Sequence, residues 1–234
     1  MSSRQVAVIT GDINASSGMP TNHAAKLETV LWTSFKELKK ALPEAKAEHF
    51  TCFRGDSWQF VVNNQSAAIS AGLFYRASLL VQSDQEFGKS YHASFAVGFG
   101  EAEYLPDQDS SAGGGEAYVR SGHRLDKLKR RVPGMGVLGL GEKDKGVDAA
   151  TGLIDALVRK WTALQARAVC LAMQGYSQEQ IAERWSPKPV SQQAVQKHLS
   201  AAGWPAIEPA LEWITTTING CFCKNNHREL YNAD

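Results

Sequence analysis

Cysteine is scarce in this chain of 234 residues, and the four present, Cys52, Cys170, Cys221 and Cys223, are not spaced as a disulfide framework. That excludes a small secreted scaffold held by bridges and points to a reducing compartment. Long apolar runs are missing as well. The N-terminal "MSSRQVAVITGDI" has an apolar stretch of only a few residues, short of a signal segment or the ~20 residues of a membrane span. A cytoplasmic protein with no membrane partner is expected. Nor is there an excess of one charge: 25 basic and 24 acidic residues leave a net charge of +1. No chain-wide field therefore attracts nucleic acid or anionic lipid, and such a partner must be met by a local patch. Cys221, Cys223 and His227 lack a fourth ligand and the C-x2-C spacing, which argues against zinc.

The elements that are present alternate in type. "RQVAVIT", residues 4–10, is a continuous apolar run of strand length that ends at Gly11-Asp12. Between Pro20 and Leu42 the apolar positions Leu27, Leu31, Phe35, Leu38 and Leu42 recur at three and four residues, and Pro43 ends the helix they predict. "AEHFTCF" and "SWQFVVN" flank Gly55-Asp56 as a hairpin, because glycine takes positive φ cheaply and aspartate tolerates tight turns. A helix rich in small residues follows in "QSAAISAGLFYRASLLVQS", then a strand in "YHASFAVGFG". In that strand Ala93, Phe95, Val97 and Phe99 alternate with Ser94, Ala96, Gly98 and Gly100, making one face bulky and the other small. Residues 116–130 read as helical, after the loop "PDQDSSAGGG", and "GMGVLGLG" as a short extra strand.

The order β-α-β-β-α-β is that of the ferredoxin-like split βαβ fold, so an α+β palm-like domain is expected over residues 1–145. In that topology strand 3 lies between strands 1 and 2, which brings Asp12 and Asp56 to adjacent points on one sheet edge. Two converging carboxylates suit magnesium or manganese, with the backbone carbonyl of Ile13 as a further ligand. The competing reading is that both aspartates only make Gly-Asp turns. Arg54, Arg120 and Arg124 could present guanidinium groups to a triphosphate, whereas Lys129, Arg130 and Arg131 read as a solvated basic helix face. Gly134, Gly136 and Gly139 spell a literal G-x-G-x-x-G, but a helix precedes it and a strand-like run occupies it, the reverse of a dinucleotide fingerprint.

The motifs Gly11-Asp12-Ile13 and Gly55-Asp56-Ser57-Trp58-Gln59 resemble those of the SatD family of bacterial proteins, whose pattern is a Gly-Asp-Ile near the N-terminus and a Gly-Asp-x-aromatic-Gln further on. More distantly, residues 1–140 look similar to the palm-type catalytic domain of class III nucleotidyl cyclases. In those proteins two metal-binding aspartates occupy the end of strand 1 and the hairpin before strand 3. That resemblance implies nucleotide binding with magnesium or manganese, often at a homodimer interface. Within "GEAYVRSGHRLDKL", Arg124 keeps the cyclase arginine, while Arg120 stands in place of the family's transition-state asparagine. Cys52 and Gly113 fall at the purine-selecting positions. These departures are compatible with triphosphate binding and argue against purine cyclisation.

After residue 145 the texture changes to an all-α region, residues 146–234. "TALQARAVCLAMQGYSQEQIAERWSPKPVSQQAVQKHLSAAGW" predicts three short helices over 162–174, 177–185 and 191–202, and a fourth is expected over 206–219. "YSQEQIAERW" followed by "VSQQAVQKHLSAAG" resembles the helix-turn-helix of bacterial regulators. In that geometry the second helix enters the major groove of double-stranded DNA: Gln192 and Gln193 would read adenine, and Lys188, Lys197 and His198 would meet phosphates. The favoured expectation is a DNA-binding transcriptional regulator, as a homodimer, with a metal-dependent nucleotide-binding sensor domain. The alternatives are a nucleotidyl cyclase or related nucleotidyl transferase, and an interaction module with a degenerate palm.

Overall fold

The first strand, β1 (Arg4–Ile13), enters the structure with six consecutive buried residues after its exposed start, as a strand covered on both faces must. The computed structural model describes residues 4–103, 113–130 and 134–229, with side chains to residue 222. After β1 come α1 (Thr21–Ala41), β2 (Ala47–Phe53), β3 (Ser57–Val62), α2 (Ala68–Phe87) and β4 (Ala93–Ala102). The described strands, including the short β5 (Met135–Leu138), form one sheet in the order β2-β3-β1-β4-β5. β3 pairs antiparallel with β1 and β2, β4 antiparallel with β1, and β5 runs parallel to β4 at the edge. The α+β ferredoxin-like arrangement expected from the element order is therefore present, with β3 inserted between β1 and β2.

The stripe predicted for α1 is its buried face: Leu27, Val30, Leu31, Phe35 and Leu38 pack toward the sheet. α2 is buried almost all round from Ala68 to Leu80, the pattern of a helix with neighbours on every side. It lies between α1 and the sheet on one side and the C-terminal helices on the other. Those are α4 (Asp144–Val158), α5 (Ala163–Ala172), α6 (Gln178–Glu183), α7 (Gln192–Ala201) and α8 (Trp204–Glu229). One apolar cluster runs from Ile9 and Phe95 through Phe74 and Leu80 to Val169, Ile181, Val195 and Ile214. α4 has no counterpart in the sequence reading, although Val147, Thr151, Ile154 and Val158 mark its buried stripe. α8 also starts earlier and extends further than the expected 206–219, with Pro205 in its first turn, where the missing N–H has no helical partner to lose.

The opposite face of the sheet is covered by α3 (Glu116–Lys129). The small face of β4 admits it. A Cβ on Gly98 would lie 2.2 Å from the carbonyl oxygen of Ala117 and 2.4 Å from the backbone nitrogen of Ser121. Ala117 and Tyr118 close over Val6, Val8, Val61 and Ala102, and Leu125 and Leu128 over Ala96. α3 thus runs in the same direction as β1, toward the strand end that carries Asp12.

α2 and α4 are joined by a buried ion pair. Arg76 Nη1 is 2.6 Å from Asp155 Oδ1, with the two side chains 1% and 3% exposed, and Arg159 binds the other carboxylate oxygen. His92 borders this cluster, and its Nδ1 is buried with no hydrogen-bond partner. Burial, and secondarily the charge of Arg76, lower its pKa, with Asp155 opposing. The unfolded chain therefore binds the proton first as pH falls below about 6.5, so stability is full above that value and declines as pH drops toward the lowered one. Melting temperature is expected to fall between pH 6.5 and 5 more steeply in the wild type than in His92→Gln. Equal slopes in thermal scans would sink this assignment.

Candidate functional site

Alternation along β1 sends Ile9, Gly11 and Ile13 to the α1/α2 side and Thr10 and Asp12 to the α3 side. Gly11 faces Trp58 across the β1–β3 ladder, and a Cβ there would lie 2.0 Å from the indole ring. The glycine of the first Gly-Asp motif is thus the space that the tryptophan of the second one fills. One residue on, Asp12 pairs with Ser57, the first residue of β3. Before it, Arg54 and Gly55 both take positive φ, at 57° and 82°, which turns the chain sharply enough to return Asp56 to β1. Ile13 N–H donates to the Asp56 carbonyl at 3.1 Å and fastens the turn to the strand.

The two carboxylates meet through one hydroxyl. Ser57 Oγ is 2.7 Å from Asp12 Oδ1 and 3.3 Å from Asp56 Oδ1. A hydroxyl has a single proton, so it donates to one carboxylate at a time. Ser16 Oγ donates to Asp56 Oδ2, and Lys129 Nζ is 2.7 Å from Asp12 Oδ2. Asp56 therefore does more than shape a turn: it shares an organised polar group with Asp12, as the topology predicted. Beside it, Gln59 Nε2 donates to Thr10 Oγ1 at 2.7 Å, and Thr10 Oγ1 is 2.8 Å from Ser121 Oγ, tying β3, β1 and α3 together.

Two carboxylates supply hard oxygen donors of the type magnesium and manganese take. Among the described residues no group of three or more His, Cys, Asp or Glu could hold a metal ion. A cation at Asp12 and Asp56 would therefore complete its shell with water or phosphate oxygens, the usual state of protein-bound magnesium. The donor set fits that chemistry, and among the described residues Lys129 is the competing cation in contact with it.

The other residues singled out from the sequence are dispersed. Arg54 is exposed at the turn next to Asp56. Arg120 Nη1 donates to the Phe99 carbonyl at 2.7 Å and pairs with Glu116 at 2.9 Å. Phe99 stands opposite Ala7, roughly 16 Å along β1 from Asp12 at 3.3 Å per residue. Arg124 is clamped by Asp148, with Nε 3.0 Å from Oδ1 and Nη2 2.7 Å from Oδ2, and Asp148 also accepts from Val137 N–H. Both guanidinium groups thus brace α3 against β4, β5 and α4. Lys129 differs from its reading as part of a solvated face, since its ammonium bonds Asp12; Arg131 lies outside the described residues. The register of Ala117, Ser121, Leu125 and Leu128 as one buried helix face was the signal that could have located it. The Cys52 thiol, pushed up to about 12 by burial and then by Glu28, stays protonated at neutral pH. Gly136 and Gly139 lie in and just after β5 with no helix opening inside the motif, so the literal G-x-G-x-x-G is not a dinucleotide fingerprint.

In the C-terminal helices, Ser177 and Gln180 make the predicted capping box on α6, and Ser191 caps α7. Val195 and Leu199 face the core, while Gln192, Gln193, Gln196 and Lys197 are exposed, as is Lys188 in the preceding turn. His198 stacks on Trp185 at 5.3 Å between ring centroids, which directs it inward. Cys221 donates to the Thr217 carbonyl at 3.3 Å; the side chains of Cys223 and His227 lie outside those described. No helix among the described residues is long and apolar enough to cross a membrane.

No family model matches the sequence, and no curated protein matches it. Solved structures similar to it include the guanylyl cyclase Cya2, at 12% identity and a TM-score of 0.42, covering 58% of this chain and 75% of that one. The adenylyl cyclase CyaB from P. aeruginosa is similar at 15% identity and a TM-score of 0.39, over 58% of this chain and 77% of its own. The active GGEEF domain of a diguanylate cyclase from Vibrio cholerae shares 19% identity at a TM-score of 0.36, over 56% and 80%.

Proposed function

We propose that this protein binds a nucleoside triphosphate together with magnesium or manganese at Asp12 and Asp56, as a nucleotidyl cyclase or related nucleotidyl transferase. The observation that carries this reading is the bridge from Asp12 through the Ser57 hydroxyl to Asp56, at the end of β1 and the start of β3. Carboxylates repel one another, and a cation between two that are held together offsets that repulsion. Bound there, a divalent ion would polarise phosphoryl oxygens and offset the charge of the triphosphate. Within the chain, Ser57 orients Asp12, Ser16 orients Asp56, and the exposed Arg54 stands at the rim as a phosphate ligand. Arg120 and Arg124, held by Phe99, Glu116 and Asp148, reach a phosphate only if those bonds exchange.

Titration with nucleoside triphosphates, with and without magnesium, tests the reading. Binding is expected to require the metal and to weaken at least tenfold in Asp12→Asn and in Asp56→Asn. Turnover of labelled triphosphate with manganese, lost in both variants, would establish the enzyme. Metal-independent binding that both variants retain would overturn the assignment.

A second reading assigns residues 146–234 to double-stranded DNA, with a homodimer whose geometry responds to nucleotide. It is favoured by the capped α7, which leaves Gln192, Gln193 and Lys197 open to solvent. Salt-dependent retention of the protein's own promoter fragment, weakened by Gln192→Ala and Lys197→Ala, is its test. A purified protein that binds neither nucleotide nor DNA would point to an interaction module.

A further inference from the structure

The cation already in contact with the paired carboxylates belongs to the chain itself. Lys129 Nζ lies 2.7 Å from Asp12 Oδ2, with the lysine side chain 42% exposed and that of Asp12 18%. Its placement follows from how α3 docks. Gly98 and Gly100 let the helix backbone approach β4, and the contact between Thr10 Oγ1 and Ser121 Oγ sets its position along β1. Lys129 is a little over two turns past Ser121, roughly 12 Å along the helix axis, whereas Asp12 is only about 7 Å past Thr10. Helical side chains lean toward the N-terminus, so the lysine stem spans the difference by reaching back. The contact is thus held by a rigidly docked helix end. A stray surface lysine would lack that anchorage.

Two carboxylates and one ammonium leave the group with one net negative charge. Asp12 offers Oδ1 to Ser57 and Oδ2 to Lys129, so both of its oxygens are engaged. A divalent ion coming to Asp12 meets the ammonium at the same oxygen, and two like charges at such a separation repel strongly in a half-buried setting. We infer that Lys129 is the built-in counter-cation of Asp12, and that a divalent ion binds the site by displacing it. This inference rests on the metal-binding reading above. It makes the bare site weak for metal and halves the charge of the aspartate pair when no metal is bound.

The test is manganese binding to the full chain, read from the electron paramagnetic resonance signal of free Mn2+, for the wild type, Lys129→Gln, Asp12→Asn and Asp56→Asn. Lys129→Gln is expected to tighten binding about fivefold or more, since it removes both the competitor and its repulsion. Thermal melts in EDTA form the second arm. There Lys129→Gln is expected to lower Tm by about 2 °C in the wild-type background and to leave it unchanged in Asp12→Asn. Unchanged or weaker manganese binding in Lys129→Gln, with binding lost in both aspartate variants, would overturn the inference and leave the metal reading standing. Binding by Lys129→Gln alone would support it in its strongest form. If neither the wild type nor Lys129→Gln binds manganese, the metal reading fails and this inference falls with it.

Discussion

Asp155→Ala is expected to destabilise the protein by about 3–5 kcal/mol, the range for removing one partner of a buried ion pair. The reason is asymmetry in exposure. Arg159, 40% exposed, can turn to water when the carboxylate is lost, but Arg76, 1% exposed, cannot. Arg76 Nε already lacks a hydrogen-bond partner, so deleting Asp155 leaves the whole guanidinium buried without a counter-charge. The pair also joins α2, which underlies the sheet, to α4, so the damage is expected to spread to both. Urea denaturation measures it. The double variant Arg76→Met with Asp155→Leu is expected to recover most of the loss, because removing both charges removes the desolvation penalty as well. A loss below 1 kcal/mol in Asp155→Ala would mean that water reaches the pair.

Gly98→Val is expected to cost about 3 kcal/mol or more and to lift α3 from the sheet. Overpacking usually costs about 1–3 kcal/mol when side chains can move aside. Here the added Cβ would meet backbone atoms of Ala117 and Ser121, at 2.2 and 2.4 Å, and a helix backbone cannot yield locally. The whole helix must shift, which breaks the Thr10–Ser121 contact and withdraws Lys129 from Asp12. A lowered midpoint in urea, with faster proteolysis within residues 116–129, is the expected result. A Gly98→Val protein as stable and as protease-resistant as the wild type would show that α3 is not docked on β4 in this way.

Much of the α+β sheet region could be read along the chain because its signals are periodic and local. The three-and-four spacing from Leu27 to Leu38 is the buried stripe of α1, and the bulky and small faces of β4 are the faces that meet α2 and α3. The two Gly-Asp motifs could be placed together because right-handed crossover leaves few ways to arrange β-α-β-β-α-β. The helix α4 is hard to read from the sequence because Gly146 and Gly152 interrupt it and weaken its propensity, although its apolar stripe is regular. The stacking of His198 on Trp185 has no signal in the sequence, because the two residues lie on different elements.

By itself, then, the sequence determined most of the secondary elements, the two faces of β4 and the meeting of Asp12 with Asp56, since all of these follow from short-range stereochemistry and chain connectivity. The tertiary structure alone decided what those aspartates face. Which cation reaches Asp12 depends on the docking depth and axial position of α3, set by side chains absent at Gly98 and Gly100 and by one hydroxyl contact at Thr10. Arg120, Arg124 and Lys129 have similar charge and lie on one helix, and charge alone does not separate them. Their partners do: Phe99 and Glu116 for the first, Asp148 for the second and Asp12 for the third.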